Sequence, residues 1–205
     1  MKSFFRKIRH KIIIKKLAIP ENALVLDASC QDGEFLSVLI KNNERKNINV
    51  FGIDINSSDI EIAKNLIPNG IFKITNNSLI PFEDKTFDVV ISSLTLHHMP
   101  NPVNSIKEMR RVVKDEGSIY LIDIVSENTF FNFILKHIKC PEPYHFEKFY
   151  SLKELKDLLT RTELVIYKKV KTLAFPTLSI VTPILLLELQ KKNNFIIYKK
   201  NPLFD

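Results

Sequence analysis

Two carboxylates stand at places in the chain where they could hold a nucleoside cofactor. Asp27 ends the apolar run 23–27, and the turn after it contains Gly33. Asp54 ends the next apolar run, 49–54, and follows Gly33 by 21 residues. A carboxylate at that distance from a glycine-containing turn can accept hydrogen bonds from two ribose hydroxyls. The spacing therefore predicts a nucleoside cofactor at the ends of two neighbouring strands.

The glycine count favours one such cofactor. A dinucleotide needs several glycines, because the backbone must approach its pyrophosphate closely. The whole chain has four glycines, and Gly33 is the only one in the turn. S-adenosylmethionine carries no phosphate, so its need for bare backbone is weaker. We therefore predict S-adenosylmethionine as the cofactor.

Two histidines are candidates for a catalytic base, although the sequence assigns no catalytic residue firmly. His98 follows the apolar run 87–92, and His145 lies in an aromatic segment, so both are expected on the ligand side of the sheet. Their alternative roles are a pocket wall for His98 and an aromatic cluster for His145. No metal site is predicted, because the neighbours His97 and His98 diverge and no third ligand has the right spacing. The two cysteines exclude a disulfide scaffold.

The elements that must position these residues alternate between strand and helix. This pattern predicts an α/β fold with a mostly parallel sheet and helices on both faces. The expected strands are 23–27, 49–54, 71–75, 87–92 and 118–125. The tail is interpreted as a strand over 164–171, an apolar helix within 176–190 and a last strand over 194–198. An apolar insertion, about 173–190, would thus separate the last two strands.

Three side chains are typical of helix starts. Ser58 with Glu61, and Ser151 with Glu154, fit a capping box, in which each side chain bonds the backbone of the other residue. Asn101 stands directly before a proline and is also expected to begin a helix.

The charge of the chain is concentrated at one end. The formal net charge is +7, yet seven cations precede the first acid, Glu21, and the other residues balance at 23 cations and 23 acids. This distribution predicts a basic N-terminal helix over 1–20 and a single domain over 21–205. One face of the helix carries Phe4, Ile8, Ile12 and Ile19, and another carries Lys2, Arg9 and Lys16. It could lie on anionic membrane or RNA, or it could cover the sheet or the cofactor pocket.

No secretory signal is visible, because basic and apolar residues interleave over the first twenty positions. A cytoplasmic location is expected. The body of the chain lacks the basic excess that would track a nucleic-acid backbone, and the turn after the fourth strand reads Ser-Ser-Leu-Thr. It is not the Asn-Pro-Pro-Tyr turn of amino-methylating DNA enzymes, so no DNA partner is expected.

Five motifs occur in order over about residues 22–170. They read VLD to Gly33, GID at 52–54, LIPFEDKTFDVV at 79–90, LHH at 96–98 and EMRRVVKDEG at 108–117. Together they resemble the class I S-adenosylmethionine-dependent methyltransferases, in the subgroup that includes the ubiquinone and menaquinone methyltransferases.

The resemblance implies a Rossmann-like, doubly wound sheet of seven strands with the last strand antiparallel. It also implies a cofactor site in which Asp27, Ser29 and Gly33 hold the methionine part and Asp54 holds the ribose. Asn76 and Asn77 would lie by the adenine, Ser93 would close the pocket, and Ile55 is assigned to the same site. The chain departs from the family at Ser29 and Gln31, where glycine is usual, and at Asn76, where aspartate is common.

The function expected from these features is methyl transfer to oxygen or carbon of a small acceptor, apolar or lipid-linked. The apolar insertion is the reason for that acceptor class. Two alternatives stay open. One is a non-catalytic, degenerate methyltransferase fold that serves as a binding subunit, motivated by Ser29 and Gln31. The other is a tRNA methyltransferase that uses the basic N-terminal helix.

Overall fold

The computed structural model describes residues 2–75, 78–124, 148–177 and 180–192, with side chains for 6–75, 78–124, 148–170 and 184–192. One seven-stranded sheet has the strand order β3-β2-β1-β4-β5-β7-β6. Strands β1 to β5 pair in parallel, while β7 runs antiparallel to both β5 and β6. The predicted α/β fold and its antiparallel last strand are confirmed. The strands are β1 (Leu24–Asp27), β2 (Asn49–Asp54), β3 (Ile71–Ile74), β4 (Phe87–Ser93), β5 (Val113–Ile124), β6 (Leu164–Thr177) and β7 (Ile180–Lys191).

Helices cover both faces of the sheet. Adjacent residues of one strand enter different hydrophobic clusters: Leu26 packs with the side chains of α4 and α5, and Val25 packs with those of α1, α2 and α3. This split follows from the alternation of side chains along a strand. The α-helices are α1 (Lys2–Ile14), α2 (Glu34–Asn42), α3 (Ser57–Leu66), α4 (Pro102–Val112) and α5 (Leu152–Thr160), and short 3-10 helices occupy Glu44–Lys46 and Leu96–His98.

The helix expected within residues 176–190 is wrong, because Ile180–Lys191 forms strand β7. Its leucine run is buried on both faces: Ile184 and Leu186 enter one cluster, and Leu185 and Leu187 enter the other. A strand buried on both faces has no alternation of polar and apolar residues, so its sequence resembles that of a buried helix. No apolar insertion separates β6 from β7 within the described residues. The strand expected over 194–198 lies outside them.

Two of the three predicted helix starts are confirmed. Ser151 and Glu154 form a complete capping box at α5, and the Asn101 side chain accepts a bond from the backbone N–H of Asn104 at α4. Helix α3 begins two residues earlier than the predicted cap at Ser58 implies. Its cap is Asn56, whose side-chain oxygen accepts from the N–H of Ser58 at 2.9 Å.

Helix α1 ends at Ile14 and packs on α2 with a face that the sequence did not predict. His10, Ile13 and Ile14 are buried, whereas Ile8 is 36% exposed. Of the expected stripe, Ile8, Ile12 and Ile19 have described side chains, and only Ile19 is buried among them. The helix is rotated so that His10, Ile13 and Ile14 face inward. The helix therefore covers the α2 side of the sheet through His10, Ile13 and Ile14.

Candidate cofactor and acceptor site

The ends of three adjacent strands meet at one edge of the sheet. Asp27, the last residue of β1, pairs with Gly52 of β2 on one side and with Ile91 of β4 on the other. Asp54 and Ser93 are the last residues of those two neighbours. In an open parallel sheet, ligands bind at this edge. The register thus brings the predicted cofactor residues to one place.

The turn after β1 is held by its neighbours' backbones. The N–H of Ala28 donates to the carbonyl of Ile91, and the N–H of Cys30 donates to that of Ile53. Gly33 begins α2 with a φ of 75°, in the left-handed region. A Cβ at this position would lie 3.0 Å from the Cβ of Ala63 on α3. Glycine is required here because both the backbone conformation and the close approach of α3 exclude a side chain.

Asp54 is partly exposed, and each of its carboxylate oxygens accepts one backbone N–H. Oδ1 accepts from Asn56 at 3.0 Å, and Oδ2 accepts from Gln31 at 2.9 Å. A carboxylate has about four lone-pair positions, so roughly two remain for further donors. The turn therefore orients Asp54 and leaves its carboxylate able to accept hydroxyl groups.

Asp27 is almost completely buried, with 1% of its surface exposed. The pKa of its carboxyl group is raised to about 7, mainly by burial and also by the nearby charge of Asp54, while a bond from the backbone N–H of Ser29 opposes the shift. A buried carboxyl with a pKa near neutrality gains from a cationic neighbour. The amino group of a methionine moiety is such a cation.

Two of the remaining predicted cofactor residues, Ser29 and Ile55, are among the described residues. Ser29 is part of the turn, and its hydroxyl donates to the carbonyl of Ala28. Ile55 follows Asp54 and is 53% exposed, so an apolar surface stands free beside the carboxylate. Asn76 and Asn77 lie outside the described residues.

Gln31 adopts a positive φ of 47°. This is the left-handed conformation that glycine adopts without strain, and it costs other residues roughly 1–2 kcal/mol. The glycine that is usual here in related proteins thus has a conformational reason. The turn keeps its shape with glutamine, since the N–H of Gln31 still bonds to Asp54.

A buried histidine–aspartate pair lies beyond β4 and at the end of β5. The Nδ1 of His97 is 2.6 Å from the Oδ1 of Asp123, and the backbone N–H of His97 donates to Oδ2 at 3.2 Å. The two residues are 8% and 4% exposed. A carboxylate oxygen accepts only, so the shared proton is assigned to Nδ1, and Nε2 keeps its lone pair. That nitrogen is the basic one.

The sequence pointed to the neighbour of this histidine. The ring of His98 lies 4.0 Å from that of His97, and it is the Nδ1 of His97 that contacts Asp123. His145 lies outside the described residues. The pair was missed because its two members are 26 residues apart. One signal was available: Asp123 stands near the end of the predicted fifth strand, at the same sheet edge as Asp27 and Asp54.

Two other chemistries find little support among the described residues. Cys30 is buried, and burial raises the pKa of its thiol, which makes it a poor nucleophile. Within residues 2–75, 78–124, 148–177 and 180–192, no group of three or more histidine, cysteine, aspartate or glutamate side chains could hold a metal ion.

No helix in this part of the chain is long and apolar enough to cross a membrane.

The donor set at the strand ends fits S-adenosylmethionine. Asp54 can accept from hydroxyls, Asp27 is a buried carboxyl that a cationic amino group would stabilise, and Ile55 is an exposed apolar side chain directly after Asp54. The compact turn around Gly33 leaves no run of bare backbone for a pyrophosphate.

Comparison with known proteins also supports S-adenosylmethionine as the cofactor. The family described as "Methyltransferase domain" matches residues 19–171. A tRNA U34 carboxymethyltransferase of Nautilia profundicola is 27% identical over 164 residues, which are 78% of this chain and 52% of that protein. The demethylmenaquinone methyltransferase of Bacillus subtilis is 28% identical over 110 residues, which are 51% and 47% of the two chains. This chain thus spans about half the length of the curated relatives it matches.

Solved structures share the fold. A methyltransferase of Methanosarcina mazei that depends on S-adenosylmethionine superposes with a TM-score of 0.70 at 24% identity, over 88% of this chain and 96% of that one. The strand order, the family match and the donor set agree. The chain belongs to the methyltransferase-domain family, among the class I S-adenosylmethionine-dependent methyltransferases.

Proposed function

We propose that this chain transfers a methyl group from S-adenosylmethionine to oxygen or carbon of a small acceptor. In the proposed site, Asp54 accepts from the ribose hydroxyls, and Asp27 and Ser29 hold the methionine part beside Gly33. Ile55 packs on the adenine. Ser93, Asn76 and Asn77 complete the pocket.

The reaction demands little from the chain beyond placement and, for some acceptors, proton removal. The bound cofactor supplies an electrophilic methyl group on a sulfonium. Displacement in line is accelerated mainly by orientation. A hydroxyl or an acidic C–H must also lose a proton, whereas a neutral amine reacts through a lone pair that it already has.

The His97–Asp123 pair is the observation that supports oxygen or carbon as the acceptor atom. Asp123 fixes the ring through two contacts, at 2.6 and 3.2 Å, and leaves Nε2 as the basic nitrogen. A histidine oriented by a carboxylate is suited to accept a proton near neutral pH. The pair lies near the end of β5, next to the end of β4 where Ser93 stands, and thus at the cofactor edge. We therefore assign His97 as the candidate base in place of His98.

The apolar insertion no longer supports the proposed acceptor class, and similarity to known proteins now does. The apolar insertion that motivated an apolar acceptor is not observed among the described residues: Ile180–Lys191 forms β7, and the side chains from Ile184 to Leu187 are buried there. The similarity to demethylmenaquinone methyltransferases now supports an apolar or lipid-linked acceptor.

The test is release of S-adenosylhomocysteine from S-adenosylmethionine over separate pools of quinols, lipids, sugars and tRNA. We expect turnover with an acceptor that carries a hydroxyl or an acidic carbon, at a rate that depends on His97. His97→Gln should lower that rate without changing the affinity for S-adenosylmethionine. Turnover with amines alone, at a rate that His97→Gln leaves unchanged, would contradict the proposal.

A tRNA methyltransferase is the second candidate. The relative from Nautilia profundicola supports it, as do four exposed cations of the N-terminal segment, Lys7, Lys11, Lys15 and Lys16. Binding to tRNA that weakens steeply with salt would favour this function. Binding to anionic vesicles but not to tRNA would instead favour contact of this segment with a membrane surface, where each cation contributes about 1 kcal/mol.

The degenerate, non-catalytic fold is the third. Gln31 at a positive φ is the feature that motivates it. No turnover on any pool, together with no heat on titration with S-adenosylmethionine, would support it.

A further inference from the structure

The turn that ends β1 carries two acids on either side of Gly33, and one cation of α1 bridges them. The Nη2 of Arg6 donates to the Oδ2 of Asp32 at 2.7 Å, and its Nε forms an ion pair with Glu34. The side chains of Asp32 and Glu34 are only 24% and 11% exposed, so these are not open surface pairs. A forked guanidinium that bonds two carboxylates restricts the orientation of both.

Asp32 passes this restraint to the start of α2. Its second oxygen, Oδ1, accepts the backbone N–H of Glu34 at 3.1 Å, in the first turn of the helix. Two further basic side chains of α1, Lys7 and His10, approach Glu34 only to 3.9 Å. Burial lowers the pKa of His10 to about 3, as do the charges of Arg9 and Arg6, so its ring is neutral at ordinary pH. Arg6 therefore makes the closest charged contacts between α1 and this turn among the described side chains.

Apolar contacts hold α1 in place independently of Arg6. Ile13 and Ile14 are buried against α2, and the ring of His10 packs edge-on against Phe35 at 5.2 Å. Removing the guanidinium should consequently loosen the turn without releasing the helix.

We propose that Arg6 is a positioning residue for S-adenosylmethionine, and that it couples the docking of α1 to cofactor binding. The inference rests on the proposed placement of the cofactor at the turn 27–33. Arg6 contacts Asp32 and Glu34, the two acids that flank Gly33 at the start of α2. In the same turn, the backbone N–H of Gln31 donates to Asp54. Arg6 thus restrains the turn that positions Gln31 against Asp54. Coupling is reciprocal, so a cofactor that favours the closed turn also favours docked α1.

The experiment compares Arg6→Gln with Lys7→Gln in the full chain. Lys7 is the adjacent cation and is mostly exposed, so it is a matched control for charge. Calorimetry with S-adenosylhomocysteine should show an affinity about five- to tenfold weaker for Arg6→Gln, at the low end of typical coupling, and less than about twofold weaker for Lys7→Gln. Far-ultraviolet circular dichroism and thermal unfolding verify that both variants fold.

Hydrogen exchange gives a second readout that does not depend on affinity alone. Amides of residues 2–14 should exchange more slowly when S-adenosylhomocysteine saturates the native protein, and this protection should shrink in Arg6→Gln at saturation. The double variant Arg6→Gln with Asp32→Asn should lose less affinity than the two single losses combined, because both substitutions break one contact.

Failure of this inference differs from failure of the cofactor site. If the native protein binds, Asp54→Ala binds weakly and Arg6→Gln binds like the native protein, Arg6 has no positioning role. If Lys7→Gln loses as much as Arg6→Gln, a general charge effect replaces the specific one, and the inference is overturned. If the native protein does not bind, the cofactor site and the inference fall together.

Discussion

Two carboxylates at the edge of the sheet where the cofactor is expected have different hydrogen-bond partners. On the side of β1 and β2, Asp54 is held by backbone N–H groups of its own turn and its neighbour, and it keeps lone pairs for other donors. On the side of β4 and β5, Asp123 is buried and bound to a histidine ring. The first arrangement suits recognition of hydroxyls, and the second suits orientation of a base. In the proposed site, two carboxylates at one edge of the sheet thus have separate roles, one in cofactor binding and one in proton transfer.

The largest expected effect concerns stability on the β5 side. Asp123→Ala leaves the buried Nδ1 and backbone N–H of His97 without their acceptor, and it should lower the free energy of unfolding by about 3 kcal/mol. Urea denaturation measures this loss. Asp84→Ala is the matched control, since it breaks an exposed ion pair with Arg111 at 2.7 Å and should cost less than about 1 kcal/mol. Equal losses would remove the distinction between the two sides of the edge.

A smaller effect concerns the pH dependence of cofactor affinity on the β1 side. The pKa of Asp27 is raised to about 7, so the carboxyl is protonated below that pH in the cofactor-free protein. A bound ammonium group favours the carboxylate, and binding must then release a proton. Affinity should rise with pH between about 5.5 and 7, by at most about tenfold per unit, and level off above.

Calorimetry at several pH values, in buffers of different ionisation enthalpy, measures both the affinity and the proton release. Asp27→Asn should bind more weakly at pH 7.5 and lose the pH dependence. A native affinity that is flat between pH 5.5 and 7 would mean that Asp27 does not meet a cationic group.

The smallest effect concerns the backbone of the turn. Gln31→Gly removes a side chain from a positive φ, and the gain from relieved strain is partly offset by a more flexible unfolded chain. We expect a change in unfolding free energy between zero and a gain of about 1 kcal/mol, with affinity for S-adenosylmethionine unchanged or tighter. Asn47→Gly is the control, since it has a φ of 48° far from the turn. A clear loss of affinity in Gln31→Gly alone would show that the glutamine side chain itself contributes to binding.

Much of the fold could be predicted because its signals are local. Strand β2 has the predicted bounds, and the capping box at Ser151 was visible from four residues. The family, the fold class and the cofactor class are confirmed by the match over residues 19–171 and by the fold. Each of these features depends on residues that are close in the chain or on a spacing within one strand–helix unit.

The features that were missed depend on contacts between distant segments. Strand β7 resembled a helix because both of its faces are buried, and only the assembled sheet reveals that. The partner of His97 is 26 residues away, and so are the two ends of the Arg6–Asp32 contact. Hydrophobic periodicity carries no information about which charged residues will meet. The sequence prediction named His98 and not His97 as a candidate base, and the structure places both in the motif that carried that prediction.

We propose that Asp54 is the strongest single determinant of S-adenosylmethionine binding. Calorimetry with S-adenosylmethionine and S-adenosylhomocysteine on the native protein, Asp54→Ala and the exposed control Glu83→Ala tests it directly. Two hydroxyls lose their charged acceptor in Asp54→Ala, so its affinity should fall at least about tenfold, while Glu83→Ala should match the native protein. An undiminished affinity in Asp54→Ala, or no heat at millimolar ligand for the native protein, would contradict the site and favour the degenerate fold.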